Sequence, residues 1–258
     1  MKTYFISSDI HSFFDAYAKA LSDANFDINN PEHIVIACGD IFDRGDKSLE
    51  ILSFFKRMKK EGRLIFIRGN HEDLFMDLVY KKHCEPEYHD FSNGTVRTLV
   101  DLSGYDIGDN TKEQLIIDAL TDNGTFDLID SAADYYETKN HIFVHGWIPS
   151  ANHSRLYDPN WRQAGKHRWK EARWTNGMAG ASRGILEPGK TIVCGHWHAS
   201  YGNSRKNFPG KDDYSYHFLE FSDNELFKPY YNDGIIAIDA CTSHTGFCNM
   251  LVMTEDEI

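Results

Sequence analysis

Carboxylate, imidazole and amide side chains cluster directly after short apolar runs in the first third of the chain. The clusters are Asp9 with His11, residues 39–45 (GDIFDRG) and residues 69–72 (GNHE). These residue types bind divalent metal ions, and a carboxylate can bridge two ions. Because the clusters occur in order and at similar intervals, they predict a polynuclear metal site.

The position of each histidine decides whether it is a candidate ligand, since the chain contains thirteen of them. Five lie at or near the end of an apolar run: His11, His71, His145, His196 and His198. Any one of these alone would be better explained as a buried core histidine. Together, and beside Asp9, Asp40 and Asn70, they favour a metal site.

The residue types also indicate which reaction such a site would support. Asp40 is the candidate bridge, and neutral imidazoles with the Asn70 amide would fill the other positions without over-neutralising the cations. Two ions held in this way acidify a shared water and hold the attacking and leaving oxygens of a displacement at phosphorus. Arg44 would add a planar, permanently charged fork that matches phosphate oxygens.

The elements that carry the clusters alternate between strand and helix. Strands are predicted at 3–7, 34–38 and 64–67, and helices at 13–24 and 48–60. This alternation implies parallel strands with right-handed crossovers, and ligands bind beyond the carboxyl ends of such strands. The strand pattern returns at residues 141–144, 191–194, 235–238 and 250–253.

A single domain is predicted for residues 1–258, because no linker, repeat or low-complexity tract divides the chain. Residues 73–140 are more polar and are predicted to form a helical insertion. Residues 152–185, here called the cover segment, contain three tryptophans and the arginines Arg155, Arg162, Arg168, Arg173 and Arg183. We expect this segment to cover the groove, with Arg173 contacting the phosphoryl group. The alternative is a packing segment with core tryptophans and solvated arginines.

Composition limits the classes of partner. A hydrophobic share of 41% is typical of a folded protein, and a net charge of −12 argues against an extended nucleic-acid surface.

Five cysteines without a C-x-x-C pair indicate a reducing compartment. The N-terminal residues begin a strand without a basic leader, and no apolar run approaches the length of a membrane span. We therefore expect a cytoplasmic protein with no membrane contact.

The ordered motifs resemble the calcineurin-like metallophosphoesterase superfamily. The residues that carry the resemblance are Asp9-x-His11, 39–45, 69–72, 144–146 (VHG) and 195–196 (GH). The DRG and GNHE forms resemble the phosphoprotein phosphatase branch, which includes serine/threonine phosphatases and symmetrical diadenosine tetraphosphate hydrolases. The resemblance implies a four-layer α/β/β/α sandwich of two mixed sheets flanked by helices.

The resemblance also implies a role for each matched residue. The first metal would be held by Asp9, His11 and Asp40, and the second by Asp40, Asn70, His145 and His196. His71 would be the general acid, oriented by Asp43, while Arg44 and Asn70 would bind the phosphoryl group. His198 belongs to a G-H-x-H form found in other branches and is a further candidate ligand, whereas Asp239 matches only loosely. Trp147 stands where the branch usually has a second glycine, and we expect it to narrow the groove.

The leading prediction is therefore a phosphomonoesterase of the protein-phosphatase type, which uses two divalent ions to hydrolyse phosphorylated proteins or small phosphoesters. Manganese is the first choice of metal, with iron, zinc and cobalt as alternatives. Hydrolysis of dinucleoside polyphosphates or another nucleotide ester is an alternative of the same class. A non-catalytic metal-binding scaffold is an alternative of a different class, against which the intact His71, Asp43 and Arg44 argue.

Overall fold

Two mixed β-sheets form the centre of the fold, in a computed structural model that describes residues 1–107, 112–151 and 156–258. The strands are β1 (Thr3–Ser7), β2 (His33–Cys38), β3 (Leu64–Ile67), β4 (Tyr136–Glu137), β5 (His141–Phe143), β6 (Thr191–His198), β7 (Tyr230–Asn232), β8 (Ile235–Asp239) and β9 (Leu251–Thr254). The first sheet has the order β3-β2-β1-β9, and the second has the order β4-β5-β6-β8-β7.

Each sheet has a parallel centre and an antiparallel edge. Strands β1, β2 and β3 pair in parallel, and β9 runs antiparallel to β1. In the second sheet β5, β6 and β8 are parallel, while β4 and β7 run antiparallel to their neighbours. The predicted arrangement of two mixed sheets is therefore confirmed.

Helices cover the outer face of each sheet. They are α1 (Phe14–Asp23), α2 (Ser48–Lys60), α3 (Asn70–Tyr80), α4 (Tyr88–Ser92), α5 (Thr95–Ser103), α6 (Glu113–Asp122), α7 (Thr125–Asp130), α8 (Lys166–Arg173), α9 (Gly177–Ser182), α10 (Ser200–Asn207), α11 (Asp213–Leu219) and α12 (Thr242–Thr245). Short 3-10 helices occur at Trp161–Gln163 and Asn224–Phe227. None of the helices in the described ranges is long and apolar enough to cross a membrane.

The side chains of the central strands are buried on both faces. In the first sheet Phe5 and Val35 pack against helices, while Ile6 and Ile36 pack against the second sheet. Val193 of β6 belongs to the same layer between the sheets. Burial on both faces explains why the parallel strands are continuous apolar runs. It also leaves the carboxyl ends of the strands as the place where polar side chains can gather.

Candidate metal and phosphate site

Predicted site residues from both sheets meet beyond the carboxyl ends of the strands. One group of ligand atoms that all lie within 4.8 Å of one another comes from His11, Asp40 and His71. A second such group comes from Asp40, His145 and His196. Asp40 belongs to both groups, which is the arrangement that a bridging carboxylate requires.

Backbone carbonyls orient two of the histidines. His11 Nδ1 lies 2.8 Å from the Phe42 carbonyl oxygen, and His145 Nδ1 lies 2.8 Å from that of Cys38. Because a carbonyl only accepts, each Nδ1 carries the proton and each Nε2 keeps its lone pair for a ligand. The Nε2 of His145 lies 2.8 Å from Asn70 Oδ1, so both atoms are turned towards the same point.

The two oxygens of Asp40 have different surroundings. Oδ1 accepts a hydrogen bond from the backbone N–H of His71 at 2.9 Å. Oδ2 lies 3.3 Å from His145 Nε2 and 3.9 Å from His11 Nε2. One oxygen is therefore fixed to the backbone and the other faces imidazoles of both groups. The φ of Asp40 is +54°, a left-handed conformation that costs free energy and that surrounding contacts must enforce.

Glu72 supplies those contacts. Its carboxylate accepts hydrogen bonds from the backbone N–H groups of Asp40, Ile41 and Gly69 at 2.9, 3.0 and 2.7 Å. It thereby caps the start of α3 and holds the loop after β2 at the same time. Burial and the neighbouring Asp40 charge raise the pKa of Glu72 to about 7. The motif GNHE contains Glu72 but indicates no role for it, since a local motif does not reveal bonds to another loop.

Asp9 and His196 join the two sheets at the site. The backbone N–H of His196 donates to Asp9 Oδ2 at 2.9 Å, and the Ser8 hydroxyl donates to the same oxygen. A Cβ at Gly195 would lie 2.2 Å from Asp9 Oδ2, so a larger residue would separate the strands. The glycine before His196 is therefore required by the close approach of β1 and β6.

The cluster of buried carboxylates is suited to cations. Burial and the charge of Asp239 raise the pKa of Asp9 to about 7. Burial likewise raises the pKa of Asp239 to about 6. Acidic groups gathered in a site of low dielectric are unfavourable as anions unless protons or cations neutralise them. Carboxylate, imidazole and amide donors together suit manganese, iron, zinc or cobalt, so these residues fit two divalent ions.

A second set of side chains beside Asp40 is suited to proton transfer and phosphate binding. His71 Nδ1 lies 2.7 Å from Asp43 Oδ2, and His71 Nε2 lies 3.5 Å from Arg44 Nη2. Burial lowers the pKa of His71, but the Asp40 charge and the hydrogen bond to Asp43 outweigh burial and raise it overall. Arg44 is exposed and has no carboxylate partner in the part of the chain that the structure describes. Its guanidinium is available to an anion.

Two buried threonines of α5 hold Asp43. Thr95 Oγ1 donates to Asp43 Oδ2 at 2.7 Å, and the backbone N–H of Asp43 donates to Thr98 Oγ1 at 3.0 Å. The oxygen that Thr95 binds is the one that faces His71. Helix α5, which lies in the predicted helical insertion, therefore contacts the candidate site directly. No ligand-like spacing in the sequence of this segment had indicated such a contact.

The tryptophans of the cover segment contribute mainly to the core. Trp161 and Trp169 are buried with their ring centroids 5.9 Å apart. Trp147 is buried as well, and its Nε1–H donates to the Ile185 carbonyl at 2.9 Å. The prediction that Trp147 narrows the groove is therefore wrong, because its ring is packed in the core between the second sheet and α9. Trp174 differs, since it is 48% exposed and its ring stands 5.7 Å from that of His196.

Two arginines of the cover segment form ion pairs within the fold. Arg162 pairs with Glu137 and Glu187, and Arg168 pairs with Asp158 at 2.6 Å. Arg155 lies outside the described residues. These ion pairs fit a packing segment, but the arginines are not simply solvated as the packing alternative expected.

Arg173 does not match its predicted role. Its guanidinium is buried and donates to Asp73 at 2.9 Å and to Asp134. These bonds occupy both terminal nitrogens and tie α8 to α3. The expectation that Arg173 contacts the phosphoryl group is corrected accordingly, because a buried guanidinium already paired with two carboxylates is not presented to an anion.

The surroundings of His198 do not identify it as a metal ligand. It lies opposite Asp239 in the pairing of β6 with β8, and its ring contacts those of Phe221 and Phe227 at 5.8 and 6.0 Å. It belongs to neither of the two ligand groups around Asp40. Its assignment as a metal ligand stays a prediction.

A family of known proteins matches most of the chain. The sequence profile of the calcineurin-like phosphoesterase family matches residues 2–220. The chain therefore belongs to this family. The resemblance found from the motifs is therefore confirmed.

Two relatives are similar over short segments. The asymmetrical bis(5'-nucleosyl)-tetraphosphatase PrpE of Bacillus subtilis (strain 168) is 32% identical over 74 residues, which cover 26% of this chain and 30% of PrpE. The symmetrical bis(5'-nucleosyl)-tetraphosphatase of Buchnera aphidicola subsp. Baizongia pistaciae is 36% identical over 72 residues, which cover 28% of this chain and 24% of that protein. The match thus spans less than a third of each relative.

Solved structures share the fold over nearly the whole chain. The cold-active protein-tyrosine phosphatase of a psychrophile, Shewanella sp., aligns with a TM-score of 0.58 at 15% identity, covering 99% of this chain and 76% of that protein. A protein serine/threonine phosphatase from Saccharomyces cerevisiae aligns with a TM-score of 0.53 at 15% identity, covering 95% and 70%. At this level of identity the likeness concerns the fold alone.

Proposed function

We propose that the protein hydrolyses phosphoric monoesters with two divalent ions, in the manner of a serine/threonine protein phosphatase. The observation that carries the proposal is the position of Asp40, whose single carboxylate faces two ligand groups. Beside it lie the His71–Asp43 pair and Arg44, which has no carboxylate partner among the described residues. Manganese is the proposed metal, because mixed nitrogen and oxygen donors suit it. The proposed compartment is the cytoplasm, where five unpaired cysteines such as these would stay reduced.

In this proposal the ligands divide into two overlapping sets. The first ion is held by Asp9, His11 and Asp40, and the second by Asp40, Asn70, His145 and His196. When bound, the ions supply an acidified water and neutralise charge on the phosphoryl oxygens. The carboxyl ends of the strands fix these ligands before any substrate arrives, since most of them are already held by backbone hydrogen bonds.

The residues outside the ligand sets would handle the proton and the phosphoryl charge. His71 would give its Nε2 proton to the leaving oxygen while its Nδ1 stays bonded to Asp43. Arg44 would bind phosphoryl oxygens next to that proton, since its Nη2 lies 3.5 Å from His71 Nε2. The Asn70 amide, which faces the same space, would contribute to substrate binding as well.

A substrate panel tests the proposed function. The purified protein, loaded with manganese, would be assayed on p-nitrophenyl phosphate, a phosphoserine peptide and diadenosine tetraphosphate. We expect hydrolysis of the first two, its loss after exhaustive chelation, and its recovery when manganese is returned. Full activity in protein whose metal content is measured as zero would contradict the proposal.

Dinucleoside polyphosphate hydrolysis is the second candidate. Two tetraphosphatases match short segments of the chain, and the half-exposed ring of Trp174 beside His196 could stack on a nucleobase. A value of kcat/KM for diadenosine tetraphosphate above that for the phosphopeptide would favour this candidate. A selective rise in KM for the dinucleotide in Trp174→Leu would then identify the stacking residue.

Removal of the Arg44 guanidinium is expected to weaken binding of the transferred group. Arg44→Ala should lower kcat/KM for p-nitrophenyl phosphate about ten- to a hundredfold and weaken inhibition by vanadate, because the charged fork binds phosphoryl oxygens. Steady-state kinetics with vanadate titration measures both effects. Arg97→Ala, which removes an exposed arginine paired with Asp46, is the matched control and should change neither. Unchanged vanadate affinity in Arg44→Ala would assign Arg44 a structural role.

Loss of the Thr95 hydroxyl is expected to disturb the general acid without touching substrate. Thr95→Val leaves Asp43 with one fewer hydrogen bond, so we expect kcat for a phosphoserine peptide to fall about tenfold. The fall should be smaller for p-nitrophenyl phosphate, whose leaving group needs less protonation, and Thr95→Ser should restore the parent value. An equal loss on both substrates, matched by a lower melting temperature, would indicate a packing role only.

A further inference from the structure

A row of exposed aromatic side chains lies on and just after α11. Tyr214, Phe218 and Phe221 are 75%, 59% and 41% exposed. Tyr214 and Phe218 are four residues apart on the helix, and their ring centroids are 5.0 Å apart. We call these three residues the aromatic strip. Contiguous apolar surface of this kind usually marks a place where another molecule binds.

The strip runs towards the candidate active site. The Phe221 ring lies 5.8 Å from that of His198, which is two residues from the proposed ligand His196 on β6. The His217 ring contacts both phenylalanines of the strip. Its centroid lies 5.7 Å from that of Phe218 and 6.5 Å from that of Phe221. Ring contacts therefore continue from the strand that carries a proposed metal ligand to the outer surface at Tyr214.

The helix that carries the strip is packed against the rest of the protein through its opposite face. Tyr216 is buried, and its hydroxyl donates to the Phe208 carbonyl at 3.1 Å. The Arg205 guanidinium lies over the rings of Tyr201 and Tyr216 at 3.5 and 4.3 Å and pairs with Glu220 at 2.6 Å. Since the opposite face of α11 is packed in this way, the exposure of the strip is a feature of the folded state.

Exposed acidic side chains flank the strip in the sequence. They are Asp212, Asp213, Asp223 and Glu225, and they outnumber the exposed Lys211 and Lys228 at the same ends. This charge disfavours a symmetric contact between two copies of the chain, because such a contact would bring the same acidic groups together. It favours a partner that combines apolar side chains with lysine or arginine.

We propose that the aromatic strip docks the polypeptide that flanks the phosphorylated residue of a protein substrate, a stretch with an aromatic or large aliphatic residue and a basic residue. The proposal rests on the proposed function and specifies its substrate class. A polypeptide reaches the strip because an extended chain advances about 3.3 Å per residue, so several residues beyond the phosphoryl group span the row of rings. Small phosphoesters would use the metal site without touching the strip.

The test compares the parent protein with the double variant Tyr214→Ser/Phe218→Ser, which leaves the proposed catalytic residues and Phe221 in place. Substrates are p-nitrophenyl phosphate, a phosphoserine peptide with Phe and Lys beside the phosphoserine, and a peptide with Gly and Ser at those positions. We expect KM for the Phe–Lys peptide to rise about tenfold in the double variant. The Gly–Ser peptide and p-nitrophenyl phosphate should be unaffected. Tyr88→Ser, which removes an exposed tyrosine on α4, is the control and should behave as the parent.

A direct measurement of peptide binding distinguishes failure of this proposal from failure of the proposed function. The Kd of the Phe–Lys peptide would be measured by fluorescence anisotropy, with circular dichroism used to check that both variants are folded. Equal Kd and KM in parent and double variant would overturn the docking surface, whatever the activity. A dimeric parent that the double variant converts to a monomer would also overturn it, since the strip would then bind a second copy. Absence of hydrolysis of every ester by the manganese-loaded protein would contradict the proposed function instead.

Discussion

Replacing His71 with Asn should lower turnover of a phosphoserine peptide by about a hundredfold or more while both metal ions stay bound. The reason is the position of the ring, whose Nδ1 is bonded to Asp43 and whose Nε2 faces Arg44. Asparagine keeps an amide near the Asp43 carboxylate but has no group that can give a proton to the leaving oxygen. The measurement is kcat together with metal content per chain.

The leaving group decides between two roles for His71. A general acid matters less when the leaving group is already stable as an anion, so the loss should shrink for p-nitrophenyl phosphate. His71 also lies within 4.8 Å of His11 and Asp40 through its ligand atoms, which is compatible with metal coordination. If His71→Asn loses an ion and the loss of activity is the same for both substrates, His71 is a ligand. His167→Asn, on the exposed face of α8, is the control.

The parts of the fold that follow local patterns were predictable from the sequence. The bounds predicted for β1, β3 and α2 are those of the structure, because each is an uninterrupted apolar or amphipathic run between punctuating residues. The helix α10 was not predicted. Its sequence, SYGNSRKN, is polar on every side, so it has no apolar periodicity, and it is helical because the surrounding tertiary structure favours it.

Contacts between distant segments account for most of what the sequence could not reveal. Thr95 meets Asp43 across 52 residues, and Arg173 meets Asp73 across 100 residues. Periodicity and motif spacing describe neighbours along the chain, so they do not indicate which carboxylate a given arginine will reach. The same limit hid the role of Glu72, whose partners lie partly on the loop after β2.

Backbone strain at the candidate site is a further feature that the sequence did not indicate. The φ angles of Asp9, His11, Asp40 and His196 are +53°, +51°, +54° and +66°. For residues other than glycine each such conformation costs about 1 kcal/mol or more, so it persists only where other contacts enforce it. Four proposed ligands therefore have a left-handed backbone that their residue types disfavour. This indicates that the loops adopt the conformation that places the ligands, rather than the conformation that the local sequence prefers.

Asp40→Asn should have the largest effect of any single substitution, because Asp40 is the one residue common to both proposed ligand sets. The asparagine Oδ1 can still accept the hydrogen bond from the His71 backbone, so the loop should keep its shape. The position of Oδ2, between the imidazoles of His145 and His11, would instead carry an uncharged amide nitrogen without a lone pair for a cation. Metal content should therefore fall from two ions to one or fewer per chain.

Turnover by Asp40→Asn should fall about a thousandfold or more, since a metal ion contributes several kcal/mol of stabilisation to the transition state. Unlike the loss in His71→Asn, this loss should be as large for p-nitrophenyl phosphate as for a phosphopeptide, because water activation and charge neutralisation are needed whatever the leaving group. Asp46→Asn, an exposed position just after Gly45, is the matched control and should keep both ions. Two ions and near-parent activity in Asp40→Asn would mean that another group bridges them, and the assignment of both ligand sets would have to be redrawn.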